Sequence, residues 1–443
     1  MVHSAAGEGS APSTPAFVID RRLLDVLVSR FRAALDEHWP GAILSYSFKT
    51  NSLPWLIADM RRRGVWAEVV SDAEYDLALA LGYGPERIVF NGPIKSRERL
   101  RSALREGSLI NLDSLREVTW TAELAREEPH LPLAVGLRVN WDLESHCPGE
   151  STTGDEGSRF GFNVDNGALD RAMEELAEAG VRIAGIHMHR NSLTQSLGVY
   201  RAAATVAADL ITSRELDLDW VDIGGGFFGS LEGSPTFHDY VRVIREVLEP
   251  VVDVDRTRLV VEPGGSVIAV PVEFHASVLD VKDVGDRRHV VTDASRTDID
   301  PLFRRRRPFD VATDSTSERL LPEQIISGFT CMEDDRLTRM HDAPELAVGD
   351  RLVFARVGAY TMSYQSSFIE FLPAVYVREG EEYTLVRRAW GVEDYLQGSR
   401  WEVEDGEPGT AGGRTAVPAG RNEGAGSQAR DGALDAALTA SER

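Results

Sequence analysis

The sequence predicts an α/β protein in which a (β/α)8 barrel of the TIM type is followed by a mostly β domain of sandwich-like or barrel-like form. Three observations carry this prediction. Short apolar runs alternate with segments whose apolar residues recur at helical spacing, polar residues follow the apolar runs, and near residue 270 the helical segments stop. The length of 443 residues also suits two domains, one of them a barrel of roughly 250 residues.

Eight apolar runs rich in Val, Ile and Leu predict the barrel strands. In chain order they are ILSYSF, WAEVV, RIVFNG, LINLD, LAVGLRV, IAGIHMH, WVDIGGG and LVVEPGG. Because catalytic groups of such barrels lie at the C-terminal ends of the strands, we expect the polar residues that follow the runs to share one site. They are Lys49, Ser71, Asn91, Asp113, Arg138, His187, His189, Gly224 and Glu262.

The β domain is predicted from four further runs, which are VEFHASVLDVKDV, RHVVTDA, RLVFARVG and PAVYVREG. The segment FVID near residue 17 could add a strand to this domain. We therefore place the barrel at residues 14–270 and the β domain at residues 271–402. Residues 1–13 and 403–443 are rich in Gly, Ala, Ser and Glu and poor in aromatic residues, which predicts disorder.

Composition narrows the class of protein. A formal net charge of −23 disfavours binding to nucleic acid or to an anionic membrane surface. No apolar run approaches the roughly 20 residues that a membrane-spanning helix needs, and the N-terminus lacks a signal-peptide pattern. Cys147 and Cys331 form neither a disulfide framework nor a zinc spacing, so we expect a reducing, cytoplasmic location.

Lys49 ends a strand that is expected to be buried, and an ammonium is costly to bury unless it is neutralised or paired. Taken alone, a lysine of this kind is more often salt-bridged or reaches out to solvent. Schiff-base chemistry needs a partly neutral amine near a carbonyl, and pyridoxal phosphate (PLP) then accepts electrons from the substrate Cα. The residues at the ends of the other strands favour the interpretation of Lys49 as a Schiff-base lysine.

Three of those strand ends match the needs of such a cofactor. Gly224, Gly225 and Gly226 could present bare N–H groups to a phosphate, although a tight turn explains a glycine triplet as well. Glu262 could pair with the protonated pyridine nitrogen. His189 could stack on the ring.

His187 lies two residues before His189 in the same strand, so both side chains point to the same side of it. The two imidazoles together resemble half of a metal site. No third ligand with zinc or iron spacing accompanies them, so we predict no metal.

The ordered motifs of the chain resemble those of the fold-type III PLP decarboxylases, the family of the diaminopimelate, ornithine and carboxynorspermidine decarboxylases. The resemblance covers nearly the whole chain, from Thr14 to Leu396. Its motifs are SFKTN, VVSDAEYDLAL, IVFNGPIKS, INLDS, SRFGF, GIHMHRNS, DIGGGF, EPGG, GFTCMEDD and GAYTMSYQSSF.

The resemblance implies a role for each matching residue. Lys49 would hold the cofactor as a Schiff base, His189 would stack on its ring and Glu262 would face its pyridine nitrogen. The phosphate would be held by Ser192, Gly225, Gly226 and Tyr360. Cys331 would reach into the active site of the partner subunit, close to the Cα that is protonated after CO₂ leaves, because the family's enzymes are head-to-tail dimers with shared sites.

Two departures from the family's pattern bear on phosphate and substrate. The family's EPGR reads EPGG here, so Gly265 removes an arginine and Gly264 and its neighbours must bind anions through backbone donors. Where the diamino-acid enzymes place Glu or Asp after the cysteine, this chain has Met332. A distal substrate ammonium then loses its counter-ion, unless Glu333, Asp334 or Asp335 takes that place.

The run Arg304-Arg305-Arg306-Arg307 is either a solvated loop or a source of one arginine, such as Arg304, that binds a substrate carboxylate. With Met332, it favours a substrate whose far end is carboxylated or acylated, in a specialised biosynthetic pathway. We therefore predict PLP-dependent decarboxylation of an amino acid to the amine and CO₂. The alternatives are a PLP-dependent racemase on the same fold and a catalytically silent relative with a binding or regulatory role.

Overall fold

The structure is a computed structural model that describes residues 12–400, apart from residues 193, 232, 286 and 306–307. Of the predicted disordered segments at residues 1–13 and 403–443, residues 1–11 and 403–443 therefore lie outside the described residues, as do the arginines at 306 and 307. None of the helices in the described part of the chain has the length and apolar character needed to cross a bilayer.

The first strand, β1 (Ala16–Asp20), belongs to the β domain, and the barrel strands follow it. They are β2 (Ile43–Ser47), β3 (Trp66–Val69), β4 (Ile88–Phe90), β5 (Leu109–Leu112), β6 (Ala134–Asn140), β7 (Phe162–Asn163), β8 (Arg182–His187), β9 (Trp220–Gly224) and β10 (Arg258–Val261). All pair in parallel, and the pairs β5–β6 and β2–β10 complete a closed circle. The circle contains the eight predicted strands, while the two-residue β7 adds to β6. The barrel prediction is confirmed.

Helices cover the outside of the barrel and recur between its strands. They are α1 (Arg21–His38), α2 (Pro54–Arg62), α3 (Asp72–Ala80), α4 (Arg97–Arg105), α5 (Leu115–Glu127), α6 (Leu143–His146), α7 (Ala168–Glu178), α8 (Leu197–Ser213), α9 (Phe237–Leu248) and α10 (Gly265–Ile268), followed in the β domain by α11 (Arg296–Ile299) and, near the end of the described chain, α12 (Val392–Tyr395). Ser71, Ser96 and Ser114 each accept a hydrogen bond from the first turn of the helix that follows them. These serine N-caps begin the helices within a few residues of the strand ends and keep the loops at that end short.

The β domain is a second sheet that contains strands from both ends of the chain. Its later strands are β11 (Val272–Val284), β12 (Arg287–Thr292), β13 (Val311–Thr313), β14 (Leu320–Ser327), β15 (Arg336–Pro344), β16 (Arg351–Phe354), β17 (Ala374–Glu379) and β18 (Glu382–Arg387). The order is β15-β14-β12-β11-β1-β17-β18, with β16 joining β11 and β13. The four predicted runs supply β11, β12, β16 and β17, whereas β13, β14, β15 and β18 were not predicted.

The segment FVID forms most of β1, which pairs with strands of the β domain. Strand β1 pairs antiparallel with β11 and parallel with β17, so it lies in the middle of the sheet. Its residues Phe17 and Ile19 are fully buried on one side, and Phe17 meets Phe274 edge-on at 4.7 Å between ring centroids. One continuous apolar core thus joins the barrel to the sheet.

Candidate active site

Lys49 lies in a single 3-10 turn, Phe48–Thr50, that directly follows β2. Its Nζ donates hydrogen bonds to Ser47 Oγ and to Glu68 Oε2, both at 2.8 Å. The Glu68 side chain is 1% exposed, whereas that of Lys49 is 43% exposed and faces an opening. Burial lowers the pKa of Lys49, but the carboxylates of Glu68 and Glu262 outweigh it and hold the pKa above the ordinary value. Lys49 is therefore an ammonium in this ion pair, and Glu68 is the carboxylate that is in contact with it.

Glu262 follows β10 and lies in a buried network with Glu68 and Asn91. The Asn91 amide donates to Glu68 Oε1 at 3.2 Å and also to Glu262 Oε1. Burial raises the pKa of Glu262 well above the ordinary range, and the nearby charges of Asp222 and Glu68 raise it further. Glu262 therefore holds a proton in a site that contains several carboxylates.

Asp222, on β9, is the second member of a coupled acid pair with Glu262. Its oxygens accept hydrogen bonds from Asn111 Nδ2 and from the N–H of Gly224, both at 2.9 Å. Burial raises the pKa of Asp222 to about 7, although these donors and the hydrogen bond to Glu262 act in the opposite direction. Near neutral pH the pair therefore shares one proton, with Glu262 as its principal holder.

His187 and His189 face the same region, as the period of the strand predicts. Their ring centroids are 6.4 Å apart and their planes differ by 24°. Burial, with the positive charges of Arg138 and Lys49, lowers the pKa of His189 to about 3. His189 is therefore a neutral aromatic ring, and its Nε2 lies 3.0 Å from Ser192 Oγ.

His187 lies beside the acid pair of Asp222 and Glu262, in the buried part of the site. Its Nε2 is 3.9 Å from Glu262 Oε2, and within the described chain neither of its buried ring nitrogens has a hydrogen-bond partner. Burial lowers its pKa well below the ordinary value, so it is neutral.

Glycines line the other side of the site, where the chain turns after β9 and β10. Gly226 has φ +89°, and a Cβ there would lie 2.6 Å from the Asn191 carbonyl oxygen. A Cβ on Gly264 would overlap the side chain of Thr50. Beside it, Ser266 Oγ is buried and has no hydrogen-bond partner in the described chain. The site thus combines bare backbone with an unsatisfied hydroxyl, which suits a ligand rich in acceptor oxygens.

A segment of the β domain covers the loop that carries Lys49. The N–H of Tyr360 donates to Thr50 O at 2.8 Å, and Ser363 Oγ donates to Lys49 O at 2.9 Å. Asn51 Nδ2 donates to Gly358 O at 3.0 Å. Tyr360 has φ +57°, which is uncommon for a residue with a side chain. The β domain therefore contributes Tyr360 to the barrel site within the same chain.

Comparison with known families decides the assignment. Residues 24–269, more than half of the chain, match the model of the pyridoxal-dependent decarboxylase family, pyridoxal binding domain. The chain belongs to this decarboxylase family. Its cofactor is accordingly PLP, and the enzyme is a carboxy-lyase.

Individual members of the decarboxylase family match over most of their length. The diaminopimelate decarboxylase of Bacillus subtilis is 30% identical over 398 residues, which cover 85% of this chain and 89% of the relative. That of Zymomonas mobilis is 28% identical over 393 residues, covering 87% and 92% respectively. Among solved structures, diaminopimelate decarboxylase from Helicobacter pylori with L-lysine superposes with a TM-score of 0.74 at 23% identity, covering 87% of this chain and 96% of that one. This last similarity supports the fold.

The residues present fit the cofactor of a pyridoxal-dependent decarboxylase. Lys49 is an accessible amine, His189 is a neutral ring that can stack, and Glu262 is a buried carboxyl group. The glycine turn, and the Ser266 hydroxyl that has no partner among the described residues, offer donors for the phosphate that the family resemblance predicts. These observations support the predicted set Lys49, His189, Ser192, Gly225, Gly226, Glu262, Gly264 and Tyr360, whose individual roles remain predictions.

The predicted substrate residues of this decarboxylase lie in the β domain, apart from that set. Cys331 is exposed, Met332 is half-buried, and Arg304 is exposed. Asp335 is 2% exposed, and its carboxylate accepts hydrogen bonds from Ser295, Arg296 and Thr330. Both carboxylate oxygens of Asp335 are therefore engaged in fixing the loops of its own domain.

Two residues of the decarboxylase site were not identified from the sequence. Glu68 pairs with Lys49, and Asp222 pairs with Glu262. Both are acidic residues inside apolar strand runs, WAEVV and WVDIG. A carboxylate on a strand that is otherwise buried is rare without a partner, and this signal could have found both.

The acid pair predicts how the stability of the cofactor-free decarboxylase depends on pH. The raised pKa of Asp222 means that the folded chain binds more protons than the unfolded chain, in which the pKa is about 4. The stabilisation is complete below pH about 4 and is lost as pH rises through about 7, with a total on the order of 4 kcal/mol. Urea unfolding between pH 5 and 8 should show this decline in wild type and a flatter one in Asp222→Asn.

The exposed carboxylate of Asp219, 48% exposed, provides the matched control. Asp219→Asn should keep the wild-type slope. Equal slopes in wild type and Asp222→Asn would contradict the shared proton.

Proposed function

We propose that this enzyme decarboxylates an amino acid whose far end carries a carboxylate or an acyl group. The observation that supports decarboxylation is the convergence of Lys49, His189 and Glu262 at one end of the barrel. The far end of the substrate is inferred from Met332, which follows Cys331 where diamino-acid enzymes of the family have a carboxylate, and from the engagement of Asp335 within its own domain. Diaminopimelate itself has a carboxylate at its far end and is the first compound to test.

The PLP ring, when bound, accepts the electron pair that the departing carboxylate leaves on the substrate Cα. The chain's residues set the conditions for this step. His189 offers an uncharged face to one side of the ring position, and Glu262 offers a carboxyl group to its nitrogen. The buried positions of Glu262 and Asp222 exclude water, which strengthens the electrostatic interactions of this acid pair.

Glu68 governs the proton on Lys49. As an ammonium, Lys49 is not a nucleophile, so it must lose a proton before it can bond to a carbonyl carbon. Glu68 Oε2, 2.8 Å from Nζ, can accept that proton and return it when a substrate amine displaces Lys49. Ser47 Oγ, which accepts a hydrogen bond from Lys49, and the Asn91 amide, which donates one to Glu68, hold these two side chains in position.

Substrate assays test the proposal. Release of CO₂ should be measured with meso-diaminopimelate, lysine, ornithine, arginine and N-acylated derivatives of the diamino acids. We expect the largest kcat/KM for compounds with a distal carboxylate or acyl group. A clear preference for lysine or ornithine would contradict the proposed substrate class, and no CO₂ from any compound would contradict decarboxylation.

Gly265 gives a prediction about phosphate affinity. Its φ is not positive, and a Cβ there would meet only Ala359 Cβ, at an ordinary 3.7 Å. Gly265→Arg is therefore sterically acceptable and restores the cation that the family places at this position. We expect PLP to bind several-fold tighter to the cofactor-free variant, on the order of 1 kcal/mol, because a charge-assisted hydrogen bond to phosphate is added.

Gly265→Gln is the control, since it has a long side chain without the charge. Equilibrium titration of PLP should show little gain for this variant. Unchanged affinity in Gly265→Arg would indicate that the arginine does not reach the phosphate.

We also propose a head-to-tail homodimer in which Cys331 of one subunit completes the site of the other. The exposure of the Cys331 thiol supports this arrangement. Mixing inactive Lys49→Ala and Cys331→Ala subunits should restore up to about a quarter of wild-type activity, since half of the random dimers regain one of two sites. Mixtures that stay inactive, although the subunits exchange, would contradict shared sites.

A further inference from the structure

The C-terminal end of α1 and the first turn of α9 bring two imidazoles and a carboxylate together, outside the site around Lys49. We propose that Glu37, His38 and His238 bind one zinc ion. Of the residues that the structure describes, this trio and the buried group around Glu262 are the two sets of His, Cys, Asp or Glu whose ligand atoms all lie within 4.8 Å of one another. Unlike the buried group, the trio is open to solvent, with side-chain exposures of 62%, 17% and 43%.

The distances match a tetrahedral ion. His38 Nε2 and His238 Nδ1 are 3.4 Å apart. Two nitrogens bound to zinc at about 2.0–2.1 Å with a tetrahedral angle lie about 3.3–3.4 Å from each other. The Glu37 carboxylate directs one oxygen to His238 Nδ1, at 3.2 Å, and the other to His38 Nε2, at 3.7 Å. The two imidazole nitrogens and the carboxylate thus surround one position, where water can complete the coordination of an ion.

The donor set and its surroundings favour a cation. Two imidazoles with one carboxylate are typical ligands of zinc. His38 ends α1, where the negative end of the helix dipole stabilises positive charge. Arg245 donates to the His38 carbonyl oxygen, but its charge is compensated by Glu249 at 3.0 Å. The chain's net charge of −23 adds a general attraction for cations.

Helices α1 and α9 pack against each other beside the three proposed zinc ligands. Phe31 of α1 and Phe237 of α9 stack with 4.3 Å between centroids and 7° between planes. Phe237 directly precedes His238, so the imidazole sits on a rigid support. Zinc would join α1, which leads into the strand that precedes Lys49, to α9, and would stabilise the folded chain in proportion to its occupancy.

Equilibrium dialysis of the full-length protein against Zn²⁺ tests the proposal. Wild type should bind one more equivalent than His38→Gln or His238→Gln, or bind that equivalent at least tenfold more tightly. His130→Gln, which changes an exposed histidine elsewhere, should match wild type. Because Cys331 is exposed and could bind zinc independently, the difference between variants is the measured quantity.

A hydrogen bond between neutral imidazoles would also give the observed separation, and a second measurement distinguishes the two. Zn²⁺ should raise the apparent melting temperature of wild type and His130→Gln but not of His38→Gln, with equal melting temperatures in EDTA. Co²⁺ should give the visible absorption of tetrahedral coordination in wild type only. Should His38→Gln fail to fold, the exposed Glu37→Gln provides the same comparison. Equal Zn²⁺ stoichiometry and affinity in all variants would overturn the site.

Discussion

Lys49→Ala is expected to abolish decarboxylation, with a fall in kcat on the order of 10³-fold or more, since the nucleophilic amine and its proton transfers are lost together. The substitution also leaves Glu68 buried without its ion partner. The variant should still fold, because the Lys49 side chain is 43% exposed and removes little packing. Borohydride treatment of wild type with PLP should add the reduced cofactor's mass to the peptide that contains Lys49, and should add nothing there in the variant.

Lys282→Ala is the matched control, as Lys282 is 63% exposed on a strand of the β domain. It should retain wild-type activity and the modified Lys49 peptide. If the wild-type Lys49 peptide gains no mass, or if Lys49→Ala keeps substantial activity, the central assignment is wrong.

Glu262→Gln is expected to give the second largest effect. The amide keeps the shape of the side chain and can still accept a hydrogen bond from Asn91, but, unlike the protonated carboxyl group, it cannot give a proton to the ring nitrogen and so become its negative partner. Loss of one such electrostatic partner costs about 10²–10³-fold in kcat, or roughly 3–4 kcal/mol. The cofactor should remain attached to Lys49, so the borohydride product persists while turnover falls.

Steady-state kinetics separate this role from a structural one. A partner of the ring nitrogen affects kcat more than KM, because its interaction strengthens as charge develops during the reaction. Glu246→Gln, at a surface position on α9 that is 43% exposed, should leave both constants unchanged. Equal loss of PLP binding and activity in Glu262→Gln would show that Glu262 merely supports the fold.

The barrel and the primary cofactor residues could be predicted from sequence because both follow from local periodicity. Apolar runs rich in β-branched residues gave all eight strands of the circle, and the rule that chemistry lies at strand ends assembled Lys49, His189 and Glu262. The period of two also placed His187 beside His189. These features depend on residues that are close together in sequence, so they can be predicted from a single sequence.

Features that depend on distant pairings were not predicted. Strand β15 carries Arg, His and Asp residues and forms only through its antiparallel partner β14. The proton shared by Asp222 and Glu262 depends on two strands meeting in the circle, and the fixed role of Asp335 depends on donors from other loops. The proposed zinc ligands lie 200 positions apart in sequence, so no local spacing signals them.

The central position of β1 has a consequence for biosynthesis. Residues 16–20 leave the ribosome long before their two sheet neighbours, which are encoded near residues 272 and 374. At translation rates of about 5–20 residues per second, this strand waits roughly 20–70 s for the second neighbour. During that interval an apolar segment with unpaired N–H and C=O groups stays exposed. The yield of this enzyme should therefore depend on how well a chaperone or the growing barrel protects this segment, more than on the stability of the folded protein.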